Sequence, residues 1–134
     1  MKLLLDTPVF LWLDADDRRV AGSVREICED RANQVFLSIA SVWEMQIKTA
    51  LGKLKSPLPP AALAEAYTHN ATLGILPISL GHVHALADLP RLHGDPFDRM
   101  PIAQAQHEGL TLVSADSVMP GVSGGGVVGV AGGV

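Results

Sequence analysis

Two aspartates three residues apart, in the run His93-Gly94-Asp95-Pro96-Phe97-Asp98-Arg99-Met100, are the residues of this chain best placed for chemistry. Asp-Pro is also a natural helix entry, so both carboxylates have a purely structural reading as cap and dipole partner. What distinguishes the two readings is whether other acids arrive at the same place. Three stand out: Asp6 after the apolar run Lys2 to Leu5, Glu44 in Ser41-Val42-Trp43-Glu44, and Asp116 beyond Leu110-Thr111-Leu112-Val113-Ser114. Glu44 has its own bland reading, as the glutamate of a capping box opened by Ser41. Clustered carboxylates repel, and they stay ionised together only with a cation among them. Hard oxygen donors without a Cys–His pattern select Mg²⁺, with Mn²⁺ able to substitute, over zinc. Such ions, single or paired about 4 Å apart, activate water and stabilise the leaving oxygen of a phosphodiester. Metal-dependent phosphodiester hydrolysis is the chemistry these residues fit.

Positioning such acids is a task for a parallel sheet. Lys2 to Leu5 reads as a buried strand, followed by Thr7-Pro8 and an amphipathic stretch, Val9 to Leu13. Val20 to Arg31 reads as a helix, Val35 to Leu37 as a strand, and a helix capped by Ser38 or Ser41 runs to Gly52. A proline-rich connector leads to a helix from Ala61 to about Ala71. Gly74 to Ile78 is a strand whose proline predicts an edge or a strand end. Leu80 to Leu89 is a further helix, and Leu110 to Val113 the most strand-like run. The order β-α-α-β-α-α-β-α-α-β calls for a parallel sheet with helices on both faces. In such a sheet Asp6, Glu44, Asp95, Asp98 and Asp116 all fall at the carboxyl edge, where α/β folds place ligands. Pro101 predicts either a last helix that starts near Asp98 or a kink, since inside a helix begun at Pro96 it costs about 3 kcal/mol.

At 134 residues the chain is long enough for one domain with its own core, and 48% apolar against 18% charged residues excludes a disordered chain. The expected division is a domain over 1–120 and a glycine-rich tail over 121–134, in which Val127 to Val130 forms a weak last strand at most. Ten basic against fourteen acidic side chains give a net charge of −4. A binder that grips phosphate by bulk charge is normally basic. A cation held by acids is the bridge this composition allows. The single cysteine, Cys28, excludes a disulfide framework or thiol-rich zinc site, and no apolar run reaches spanning length. The expectation is a soluble cytoplasmic protein without membrane partners.

The runs Leu4-Leu5-Asp6-Thr7, Ser41-Val42-Trp43-Glu44, His93 through Met100, and Leu110 through Asp116 resemble, in order, the signature blocks of PIN-domain ribonucleases. More narrowly they resemble VapC-type toxins of type II toxin–antitoxin systems. The resemblance covers residues 1 to about 118. It implies a three-layer α/β/α PIN-like domain with a central parallel sheet of four to five strands. It further implies Mg²⁺-dependent endoribonuclease activity, a cognate antitoxin that neutralises it, and a homodimer. Asp6, Glu44 and Asp98 would then be the core metal-binding and catalytic acids, Asp116 the fourth, with Asp95 nearby. Three departures stand against the pattern: Pro8 where histidine is common, Pro101 where an aliphatic residue is usual, and the glycine-rich tail in place of a closing strand.

Thr7, Lys48 and Arg99 are lesser candidates. Thr7 is a contact to a metal-bound group or a helix cap. Lys48 is an i,i+4 partner of Glu44 or an RNA contact. Arg99 is a phosphate contact or a solvated surface charge. Trp12 and Trp43 sit at helical core spacing and read as packing rather than as base-stacking platforms. Histidines 69, 82, 84, 93 and 107 offer no ligand spacing beyond His82-x-His84. A haloacid-dehalogenase-type phosphatase would need an aspartate where Pro8 stands, and a phosphoaspartyl receiver an acceptor on a later strand. The serious rival is a catalytically silent PIN-like protein that binds RNA or its antitoxin.

Overall fold

The structure, a computed structural model, describes residues 1–55, 59–69, 73–90 and 94–114, and the backbone of 127–129. Asp116, His93 and the expected boundary near residue 120 lie outside these residues. Five strands form one parallel sheet: β1 (Lys2–Leu5), β2 (Gln34–Ser38), β3 (Gly74–Leu76), β4 (Thr111–Ser114) and β5 (Val127–Gly129), in the order β3-β2-β1-β4-β5. Six α-helices accompany them among the described residues: α1 (Thr7–Asp14), α2 (Gly22–Glu29), α3 (Ile39–Ala50), α4 (Pro60–His69), α5 (Leu80–Ala85) and α6 (Pro96–Glu108). A short 3-10 turn, Leu86–Asp88, follows α5.

Strand alternation divides the core in two. Leu3, Leu5, Val35, Leu37 and Val113 pack on one side with Val9 and Phe10 of α1, Val24 of α2, Met45 of α3 and Leu63 of α4. Leu4 and Leu112 point to the other side, onto Ile102, Ala103 and Ala105 of α6. Successive strand residues face opposite ways, so an unbroken Leu-Leu-Leu run serves both layers. The result is the three-layer α/β/α arrangement expected. β3 is an edge strand, and Pro77 follows it outside the ladder.

Several boundaries differ from expectation. Helix α3 starts at Ile39 because Ser38, extended at the end of β2, caps it by accepting from Ala40 N–H at 3.0 Å. Ser41 and Glu44 are therefore helix-interior residues, and the capping box they spell is not formed. The stretch Leu80 to Leu89 divides into α5 and the 3-10 turn. Helix α6 starts at Pro96, capped by Asp95 Oδ1 accepting from Phe97 N–H at 2.9 Å. The later start near Asp98 is not found. Pro101 thus stands at the sixth helical position, where it deprives the Phe97 carbonyl of its i+4 donor. Its ring is fully buried, within the run Met100 to Ala105 that is buried throughout.

Candidate metal centre at the carboxyl edge of the sheet

The register fixes what lies beside Asp6. Leu5 pairs with Leu37 on one side and Val113 on the other, so Ser38 and Ser114 sit level with Asp6 at the strand ends. Asp6 N–H donates to Val113 O at 3.0 Å, extending the ladder by one bond. Its Oδ1 accepts from Val9 N–H at 2.9 Å as the cap of α1, and its Oδ2 accepts from Ser114 Oγ, also at 2.9 Å. Both oxygens are thereby oriented while each keeps lone-pair capacity. Thr7, the first residue of α1, is buried; the cap is Asp6.

Glu44 is 5% exposed, a buried carboxylate whose Oε2 accepts from Lys48 Nζ at 2.7 Å. Burying a carboxylate requires a compensating positive partner. The Lys48 ammonium is held above its ordinary pKa, first by the hydrogen bond to Glu44, then by the charges of Glu44, Asp95 and Asp98, against partial desolvation. One amine therefore senses three of the expected acids from two helices in different layers. Asp95 and Asp98 are both exposed, Asp98 at the third position of α6 and Asp95 as its cap.

Among the described residues, Asp6, Glu44 and Asp98 do not form a group whose carboxylate oxygens all lie within 4.8 Å of one another. One ion would therefore reach part of this set through water. Mg²⁺ suits that, because it keeps several of its waters and binds proteins through one or two carboxylates. The donors fit in kind: among the described residues they are hard carboxylates without a sulfur or imidazole competitor, one of them buried and balanced by a lysine.

The described group that does close within 4.8 Å is His82, His107 and Glu108. Its hydrogen bonds argue against a metal. His82 is 2% exposed, and its Nδ1 accepts from Ser79 N–H at 3.0 Å, which puts the ring proton on Nε2. That Nε2–H faces Glu108 Oε1 at 2.8 Å. Ligation through Nε2 would move the proton to Nδ1, against another donor. His82 is a satisfied core histidine that ties α5 to α6, with Gln104 donating alongside to Pro77 O at 3.3 Å.

Two side chains have roles the sequence did not announce. Arg99 donates to Pro90 O at 2.8 Å and Leu86 O at 3.2 Å, bracing α6 against the segment after α5. Trp43 is 60% exposed and not core packing; only Trp12 packs against the core, half-buried beneath Arg19. Core spacing on α3 is met by Ala40, Ser41, Glu44 and Met45, which leaves Trp43 on the outer side. A cleft of about 700 Å³ bordered by Phe10, Cys28, Val35, Tyr67 and Leu73 opens on the α2–α4 face, and none of the candidate acids lines it.

Residues 3–124 match the family model described as PIN domain. The chain is also similar to Ribonuclease VapC16 of Mycobacterium tuberculosis (strain ATCC 25618 / H37Rv), 38% identical over 63 residues, or 47% of this chain and 43% of that relative. The match thus spans under half of that relative's length. Among solved structures, VapBC2 from Rickettsia felis, bound to a DNA fragment from their promoter, superposes with a TM-score of 0.69 at 14% identity over 96% of this chain and 98% of the other. DNA-bound VapBC from Salmonella typhimurium gives 0.63 at 18% identity over 95% and 96%. A toxin–antitoxin complex from Klebsiella pneumoniae gives 0.60 at 19% over 90% and 95%. At these identities the structural likeness is one of fold.

Proposed function

This chain belongs to the PIN-domain family, and from that premise we propose that it is a Mg²⁺-dependent endoribonuclease of the VapC toxin type, neutralised by a cognate antitoxin. The observation that carries the reading is that α3 and the start of α6 meet at the carboxyl edge, through the rings of Trp43 and Phe97 5.2 Å apart, beside the buried Glu44 carboxylate paired with Lys48 at 2.7 Å. Helices from opposite faces of the sheet bring their carboxylates to one cation, and Asp6 stands at the neighbouring strand end. Asp6, Glu44 and Asp98 would hold the metal, with Asp95 and Asp116 as further acids; Mn²⁺ can replace Mg²⁺. When bound, the ion supplies charge neutralisation for the phosphodiester and activation of water. The chain's own part is to orient Asp6 through Val9 and Ser114, and to hold the Glu44 carboxylate through Lys48. Lys48 and Thr7 are candidates to contact RNA or the metal's waters. The working form is a cytoplasmic homodimer; among the described residues no helix is long and apolar enough to cross a membrane.

The wider spacing of the acids favours one second reading, a catalytically silent PIN-like protein that binds RNA or antitoxin. RNA cleavage with and without Mg²⁺, compared between wild type and Asp98→Asn, separates the two. Asp98 is exposed, so the substitution leaves the core intact. Cleavage by the variant is expected to fall a hundredfold or more, about 2.7 kcal/mol of transition-state stabilisation. Equal cleavage by both proteins would remove Asp98 from the mechanism, and no metal-dependent cleavage by either would leave the silent reading. Restored growth of cells that express the wild type, once an adjacent small gene is co-expressed, tests the antitoxin.

A further inference from the structure

Trp43, although 60% exposed, is held in place: its ring meets that of Phe97 edge to face, centroids 5.2 Å apart and planes at 80°. Phe97 lies between Asp95 and Asp98, and Trp43 directly precedes Glu44. One ring therefore comes from each of the two helices that carry the acids sensed by Lys48. We propose that the open face of Trp43, steadied by Phe97, is a stacking platform for one base of a single-stranded RNA whose backbone crosses the carboxylates. This rests on the ribonuclease reading above.

Charge is the first reason. With a net charge of −4 and acids at the mouth, the chain draws little affinity for phosphate from its own electrostatics. An uncharged contact to a base supplies what charge does not, and it tolerates any sequence because every base has a π-face. The second reason is geometry. An edge-to-face contact fixes the indole without covering it, which is the preorganisation a stacking platform needs. A second copy of the chain is the competing occupant, since Ile39, a turn earlier on α3, is also exposed. A two-fold contact here would bring the exposed Asp95 and Asp98 of two copies to one interface, which like charges disfavour.

The test uses the full chain in an Asp98→Asn background, with a ten-residue single-stranded oligoadenylate and a set of oligomers in which one abasic residue is moved along the strand. Trp43→Ala is expected to weaken binding roughly five- to a hundredfold, the range of one base–aromatic stack, while Trp43→Phe stays within about threefold of the parent. One abasic position should weaken binding to the parent by the same factor and cost Trp43→Ala nothing further. With Asp98 intact, Trp43→Ala should raise KM and leave kcat unchanged. Undiminished affinity of Trp43→Ala beside normal wild-type cleavage overturns this inference and leaves the ribonuclease reading standing. Absence of metal-dependent cleavage by the wild type overturns both. Conversion of a dimer to a monomer by Trp43→Ala, with RNA affinity per chain unchanged, gives the ring to a second copy and also overturns it. Should Trp43→Ala not fold, the abasic series on the parent decides alone, and equal affinity at every abasic position goes against the platform.

Discussion

Asp6 Oδ1 accepts from Val9 N–H and Oδ2 from Ser114 Oγ, so the carboxylate is set before any ion arrives. Groups that orient a metal ligand typically matter by ten- to a hundredfold in metal affinity. Ser114→Ala should therefore raise the Mg²⁺ concentration for half-maximal cleavage about tenfold, with activity returning at high Mg²⁺. An unchanged Mg²⁺ requirement would reduce Ser114 to a ladder residue. Asp6 was legible in the sequence because it directly follows an apolar strand. Ser114 was not, because its role depends on the register that sets it level with a residue 108 positions away. Burial, reinforced by the charge of Glu29, pushes the Cys28 thiol up to about 11. The thiolate is the reactive form. Alkylation by iodoacetamide should accordingly be slow at pH 8 and quicken only as pH nears 11; rapid labelling at pH 8 would contradict this.

The elements were legible in kind and order, and less so at their ends. Asp95-Pro96 announced the entry to α6, and the helix does begin there. Pro101 pointed to a later start because its backbone cost was weighed without the burial of its ring. At α3 two serines competed for one cap, and the strand end decided for Ser38. The spacing of Trp43 suggested packing, but a helix laid on a sheet buries one stripe, and Glu44 occupies it through its pairing with Lys48. The exit of α6 gives a clean test. Gly109 has φ +68, and a Cβ there would meet nothing within 4 Å, so substitution acts on the backbone alone. Gly109→Ala should cost about 1–2 kcal/mol in urea unfolding, and Gly109→Asn less. Equal stability of all three proteins would rule out the left-handed cap as a constraint.

Across the whole molecule, one physical fact organises the rest: the strands are parallel, so their carboxyl ends share one edge. Layers on opposite faces can then send acids to the same mouth, Glu44 from α3 and Asp98 from α6, with Asp6 at a strand end between them. That shared edge was legible from the alternation of strands and helices. The distances were not, because they depend on the tilt of α3 and α6 over the edge, which hydrophobic periodicity does not encode. The direct measurement is anomalous diffraction from crystals soaked in Mn²⁺. A peak bounded by Asp6, Glu44 and Asp98, contacting them directly or through water, is the predicted result. Manganese found only at His82, His107 and Glu108, or none beside the carboxylates at concentrations that support cleavage, would contradict it.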